Sequence, residues 1–270
     1  MKHFKFIIVS LVAVVILAGM YSVLRSVSTS PAPADGMHRT YVALGDSVAA
    51  GLGLQASKES GACGQSKEAY PNLVAEQLKL RLTQFSCSGA KTQDVLQNQL
   101  NSLPANPSLV TATIGANDLG WTKLLAKCYR ATCGSSEDTA LVDTQLATVK
   151  TNLSTLLQQL GGHPNPPRVI LTGYYQVLPA TKKECPRVDA LQSSEFSWWQ
   201  DQESKLNKTI KDATSAYAFA RFAPVDFSQH DICMFGDNSW IQSIGNSAPF
   251  HPTAVGQAVI AGAVVAANQK

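Results

Sequence analysis

Apolar, strand-like runs alternate with helical patterns along most of the chain, and that alternation constrains the fold more than any other feature. Tyr41–Gly45, Leu109–Gly115 and Arg168–Gly173 read as strands, with another near Phe219–Val225. Between the first two, Ala69–Leu80 carries helical spacing through Leu73, Val74, Leu78 and Leu80. Leu141–Leu160 does the same through Leu146, Val149, Leu153, Leu156, Leu157 and Leu160, and Gly161-Gly162 stops it. A helix over about Ser194–Ala213 and a closing helix over Pro252–Ala267, with Pro252 in its first turn, complete the series. Such a chain is expected to be α/β, with a mostly parallel sheet covered on both faces. Its sites then lie outside the carboxyl ends of the strands.

Residues 1–36 stand apart from this pattern. Lys2, His3 and Lys5 precede the uncharged stretch Phe6–Leu24, which Arg25 closes before the small, proline-containing segment Ser26–Gly36. Charge followed by an apolar run is the order of an export segment. At 19 residues the run exceeds the core of a cleavable signal, the Ala32-x-Ala34 site lies well beyond it, and the length approaches that of the hydrocarbon core. An uncleaved anchor, associating with the membrane through residues 6–24, is the favoured reading, and a cleaved signal is the alternative. Lys2 and Lys5 would keep the start of the chain in the cytoplasm. Both readings export residues 37–270, which contain no repeat, low-complexity tract or second linker and are expected to form one domain. In that compartment disulfides persist.

Charge narrows the partners. Setting aside Lys2, Lys5, Arg25 and Asp35 lowers the formal charge from +3 to +1. Without a basic cluster, nucleic acid is excluded as a partner. A monomer is the expected state.

Four short blocks carry the chemistry. Gly45-Asp46-Ser47 follows the first strand, where a serine hydroxyl would be displayed at a carboxyl end. Taken alone, that tripeptide also suits a turn or a helix cap. Gly115-Ala116-Asn117-Asp118 follows another strand, Ser88-Gly89-Ala90 follows a short run ending at Cys87, and His251-Pro252 opens the closing helix. Acyl transfer needs a nucleophile, a base and donors aimed at the developing oxyanion. Ser47, His251, the Gly89 N–H and the Asn117 amide supply those types.

In combination, order and spacing, Val42–Ser47, Cys87–Ala90, Ile114–Asp118 and His251-Pro252 resemble the blocks of the SGNH, or GDSL, hydrolase family. The resemblance spans residues 40–268. It implies a flavodoxin-like three-layer α/β/α fold and ester hydrolysis without a cofactor or metal. Ser47 would be the nucleophile and His251 its base, with the Ser47 and Gly89 N–H groups and the Asn117 side chain as the oxyanion hole. The substrate would be a lipid ester or an acylated small molecule or glycan.

One position departs from that pattern. Many members carry an aspartate three residues before the histidine, where this chain has Ala248. Some secreted members use a backbone carbonyl instead, so a Ser-His dyad oriented by the Ala248 carbonyl is expected. Asp226, Asp231 or Asp237 reaching in from a neighbouring loop is the alternative, and Asp46 is read as a structural residue. The cysteines add a second resemblance, to three-disulfide secreted actinobacterial esterases and lipases, which implies the pairs Cys63 with Cys87, Cys128 with Cys133 and Cys185 with Cys233. Zinc is disfavoured because there is no C-x-x-C and no cysteine has a histidine at ligand spacing.

Other patterns are weaker. Gly51-Leu-Gly53-Leu-Gln-Ala56 matches a dinucleotide fingerprint by letter but neither follows the strand directly nor opens a helix. The G-x-S-x-G elbow is absent. Asn152-Leu-Ser154 and Asn207-Lys-Thr209 match the glycosylation pattern but fall in expected helices. Trp121 and Tyr174 are the aromatics nearest the strand ends. Two further functions remain open: O-deacetylation of cell-envelope carbohydrate, and a catalytically impaired glycan- or lipid-binding module.

Overall fold

A computed structural model describes residues 39–58, 61–182 and 185–270. The expected export segment lies outside the described residues. Among them, no helix is long and apolar enough to cross a membrane.

Five parallel strands form one sheet: β1 (Thr40–Gly45), β2 (Arg81–Gln84), β3 (Leu109–Thr113), β4 (Arg168–Thr172) and β5 (Ala220–Ala223), in the order β2-β1-β3-β4-β5. β3 and almost all of β1 and β4 are buried, as expected of strands covered on both faces. β2 forms one edge and reads Arg-Leu-Thr-Gln, with no fully buried residue. The helices are α1 (Tyr70–Leu78), α2 (Trp121–Arg130), α3 (Ser136–Gly161), α4 (Ser193–Ser215) and α5 (Ala254–Asn268). Right-handed crossovers place α1, which steps from β1 to β2, on the face opposite α3 and α4, which step the other way. In keeping with this, α1 packs on α5 and α3 packs on α4.

The expected elements are present with ends shifted by a few residues, except at two places. α2 and β2 are additions. Pro252 is not in the first turn of α5: Thr253 is the N-cap and its hydroxyl accepts the Gly256 N–H at 3.3 Å. Pro252 instead bridges to Ile241 just ahead of the cap.

The strand order also fixes where a site belongs. From β1 the chain steps to one side to make β2 and then returns to the other side for β3, so β1 and β3 form the topological switch point. Their carboxyl ends carry Asp46-Ser47 and Asn117. The strands approach closely there: a Cβ on Gly45 (φ +123°) would stand 2.3 Å from the Thr113 carbonyl oxygen, so only glycine fits. Gln99 grips the same residue on both sides, accepting the Gly45 N–H at 2.7 Å and donating to its carbonyl at 2.9 Å.

All six cysteines are paired, 63 with 87, 128 with 133 and 185 with 233, as the resemblance implied. The first pair ties the segment before α1 to Cys87, two residues ahead of Gly89.

Candidate active site

Ser47 opens a single helical turn, Ser47–Ala50, whose cap is Asp46. The Asp46 carboxylate accepts the Val48 N–H at 2.9 Å. That turn leaves the serine at the amino end of a helix, where main-chain N–H groups have no intrahelical partner and favour negative charge. The Ser47 Oγ lies 2.8 Å from Nε2 of His251, 204 residues further along the chain.

Ser47, Gly89, Asn117 and His251 line one cavity of about 230 Å³. Gly89 sits at φ +84°, a conformation that favours glycine, although a Cβ there would meet nothing within 4 Å. The Asn117 amide donates to the Ala90 carbonyl at 2.9 Å, tying the β3 loop to the Gly89 loop and leaving its second N–H for another acceptor. Asp118 accepts the Thr92 N–H and hydroxyl, and Asn152 on α3 donates to that hydroxyl at 2.8 Å. The rest of the wall is mostly apolar, including Trp121, Leu125, Val177 and Phe250.

The Ala248 carbonyl, expected to orient the ring, is joined there by that of Pro249. His251 Nδ1 stands 3.1 Å from the carbonyl of Pro249, while the Ala248 carbonyl accepts the His251 main-chain N–H at 3.3 Å. Ala248 to His251 thus form a β-turn with proline second and a left-handed residue, Phe250 (φ +68°), third. That is the pattern of a type II turn, in which the middle peptide is flipped relative to the common type I. The Pro249 carbonyl makes the ring's hydrogen bond, and the Ala248 carbonyl, which closes the turn, also acts on the ring. The aspartates considered as alternatives are engaged elsewhere. Asp226 accepts the Ser228 N–H and Asp231 the Cys233 N–H, both at 2.8 Å, and Asp237 sits in a separate short helical turn.

Burial pushes the His251 imidazole below its ordinary pKa, and the Pro249 and Ala248 carbonyls partly oppose the shift. The ring is therefore neutral at neutral pH. Nδ1 carries the proton toward the carbonyl and Nε2 is the acceptor facing Ser47. Asp46 is fully buried and burial raises its carboxyl to about 7, against the hydrogen bonds from Tyr174 and Val48 that favour the anion. The Tyr174 hydroxyl donates to Asp46 and accepts the Ala116 N–H at 3.1 Å, so it links the β1 and β3 loops. Asn207 of α4 holds the Tyr174 main chain from both sides, at 2.7 and 2.8 Å. Gln99, Thr92, Pro249 and Asn207 are not among the expected site residues, and Tyr175 is legible only as an aromatic that could line an acyl pocket. In the sequence Asn207 carries only a glycosylation pattern.

A second buried carboxyl lies nearby on α4. Glu203 accepts the Val177 N–H at 3.3 Å, and burial raises it from 4.5 to about 8. Between those values the folded chain keeps a proton that the unfolded chain has released, so this group lowers stability as pH rises from 4.5 to about 8. Glu203→Gln keeps an acceptor for Val177 and cannot ionise. In urea titrations the variant should match the parent near pH 4.5 and exceed it at pH 8 by on the order of a few kcal/mol. An equal difference at both pH values would contradict this account.

A parallel α/β sheet with a serine, a histidine and amide donors gathered at its switch point has the groups that acyl transfer requires. A model of the GDSL-like lipase/acylhydrolase family matches residues 43–259, and the chain belongs to that family. Lipase 1 of Streptomyces coelicolor is 32% identical over 248 residues, covering 85% of each chain. The crystal structure of phospholipase A1 from Streptomyces albidoflavus is similar with a TM-score of 0.72 at 27% identity, over 85% of this chain and 99% of that one. The extracellular lipase of Streptomyces rimosus gives 0.73 at 27% identity with the same coverage.

Proposed function

We propose that this protein is an extracytoplasmic lipase or esterase that cleaves carboxylic esters through an acyl-enzyme on Ser47. The observation that carries this reading is the 2.8 Å contact between Ser47 Oγ and His251 Nε2 at the edge of a largely apolar cavity. His251 takes the hydroxyl proton as Ser47 attacks the acyl carbon. The tetrahedral oxyanion is met by the Ser47 and Gly89 N–H groups and the free amide hydrogen of Asn117. His251 then returns the proton to the leaving alkoxide. Water, deprotonated by the same ring, attacks the ester of Ser47 and releases the acid. The Pro249 carbonyl, in place of a carboxylate, orients the imidazolium, with less negative charge than a triad acid brings.

The apolar wall of Trp121, Leu125, Val177 and Phe250 fits an acyl chain better than a hydrated sugar, which favours lipid esters over acetylated glycans. Three disulfides fit an oxidising compartment, and residues 1–36 are the proposed export segment. The test is a rate series of p-nitrophenyl esters from acetate to long chains, run beside acetylated xylan. Longer acyl chains should exceed acetate in kcat/KM by about tenfold or more, since each buried methylene contributes. A preference for acetylated xylan would replace the reading with glycan deacetylation, and no hydrolysis of either with a binding module.

A further inference from the structure

Phe250 occupies a conformation that bulky side chains avoid, and the peptide it fixes is the one that orients His251. Something must hold it there. Its N–H donates to the Gln242 carbonyl at 2.9 Å, and its carbonyl accepts the hydroxyl of Tyr175 at 2.8 Å. Tyr175 follows Tyr174 at the end of β4, and the two side chains reach opposite halves of the site: Tyr174 the Asp46 and Ala116 loops, Tyr175 the histidine turn. The Tyr175 ring is itself fixed, stacked on Phe227 with centroids 4.4 Å apart, and Phe227 meets Trp240 edge-on at 5.5 Å. Trp240 belongs to the same segment as the turn, its carbonyl accepting the Thr253 N–H at 2.9 Å. Burial holds the Tyr175 phenol well above its ordinary pKa, so it remains a donor.

We propose that Tyr175 is a positioning residue for the carbonyl that replaces the triad acid: by holding the Phe250 carbonyl it fixes the left-handed turn residue that keeps the Pro249 carbonyl against His251 Nδ1, and so selects the tautomer that can accept the Ser47 proton. The proposal rests on the Ser47–His251 reading. It gives a tyrosine on the β4 loop the task of holding the carbonyl that orients the ring where an aspartate beside the histidine would otherwise do so.

The test uses the full chain and Tyr175→Phe, which keeps the ring on Phe227 and removes only the hydroxyl. Labelling of Ser47 by a fluorophosphonate in the parent first establishes the Ser-His reading independently. The variant should lose kcat by about 10- to 100-fold with KM nearly unchanged, less than the ~10⁴-fold seen when a full carboxylate is lost. In ¹⁵N spectra of its histidines, the Nδ1-protonated signal of His251 should give way to a tautomer mixture. Phe250→Gly supplies the same positive φ without strain, so adding Tyr175→Phe to it should cost several-fold less kcat than in the parent. Tyr217→Phe, remote from the site, controls for loss of a hydroxyl. Overturning results are a Tyr175→Phe enzyme within twofold of the parent, or a loss of kcat with the His251 tautomer intact. Equal losses from Tyr175→Phe with and without the Phe250→Gly substitution would overturn it too.

Discussion

Ser47→Ala is expected to lower ester hydrolysis by about 10⁴- to 10⁶-fold while leaving the fold and the cavity in place. The side chain is small and its hydroxyl contacts His251, so the alanine removes the attacking oxygen and little packing. Asp46 still caps the turn through Val48, and the donors facing the oxyanion remain. Thermal unfolding should therefore be close to that of the parent, and binding of a non-hydrolysable phosphonate ester analogue should survive through the apolar wall. Initial rates on a p-nitrophenyl ester at saturating concentration check this. Retention of more than about a hundredth of parental kcat would place the chemistry on another residue.

His251→Ala is expected to cost nearly as much, about 10⁴-fold or more, because an unassisted serine hydroxyl is a poor nucleophile. Residues that act as one unit are non-additive, so the double variant with Ser47→Ala should be no slower than the worse single variant. The pH dependence carries the sign of the assignment. His251 must be neutral to accept the proton, and burial holds its pKa below 6.5. The acidic limb of kcat/KM should therefore fall below pH 6.5, and activity should be level through neutrality. A limb centred at about 7 would instead follow Asp46, which burial raises to that value. Rates from about pH 4.5 to 8.5, spanning both groups, with parent and Asp46→Asn separate the two.

How much of this was readable beforehand depended on whether the signal is local. β1 and β4 are buried on both faces and so appear as apolar runs, β3 is a run interrupted only by the buried Thr111 and Thr113, and α3 repeats leucine and valine at helical spacing. β2 escaped because an edge strand of four residues with Arg81, Thr83 and Gln84 has no apolar run. α2 escaped because it is short and its amino end, Gly120, is left-handed with no side-chain cap, so no start signal precedes Trp121. The Ser47, Gly89, Asn117 and His251 blocks were legible as motifs. What orients them was not: whether the Ala248 or the Pro249 carbonyl makes the hydrogen bond to the His251 ring depends on a positive φ at Phe250, a residue type that gives no hint of it. Tyr175 and Phe250 are 75 residues apart, and Asn207 and Tyr174 are 33 apart, so no sequence window contains either contact.

The central claim, a covalent intermediate on Ser47 made by a neutral His251, is tested most directly by intact-mass measurement and peptide mapping after exposure to a fluorophosphonate at neutral pH. The account predicts a single adduct on the peptide containing Ser47, its formation slowed by His251→Ala and absent in Ser47→Ala. An adduct on another residue, or an unmodified Ser47 in a protein that still hydrolyses esters, would contradict it.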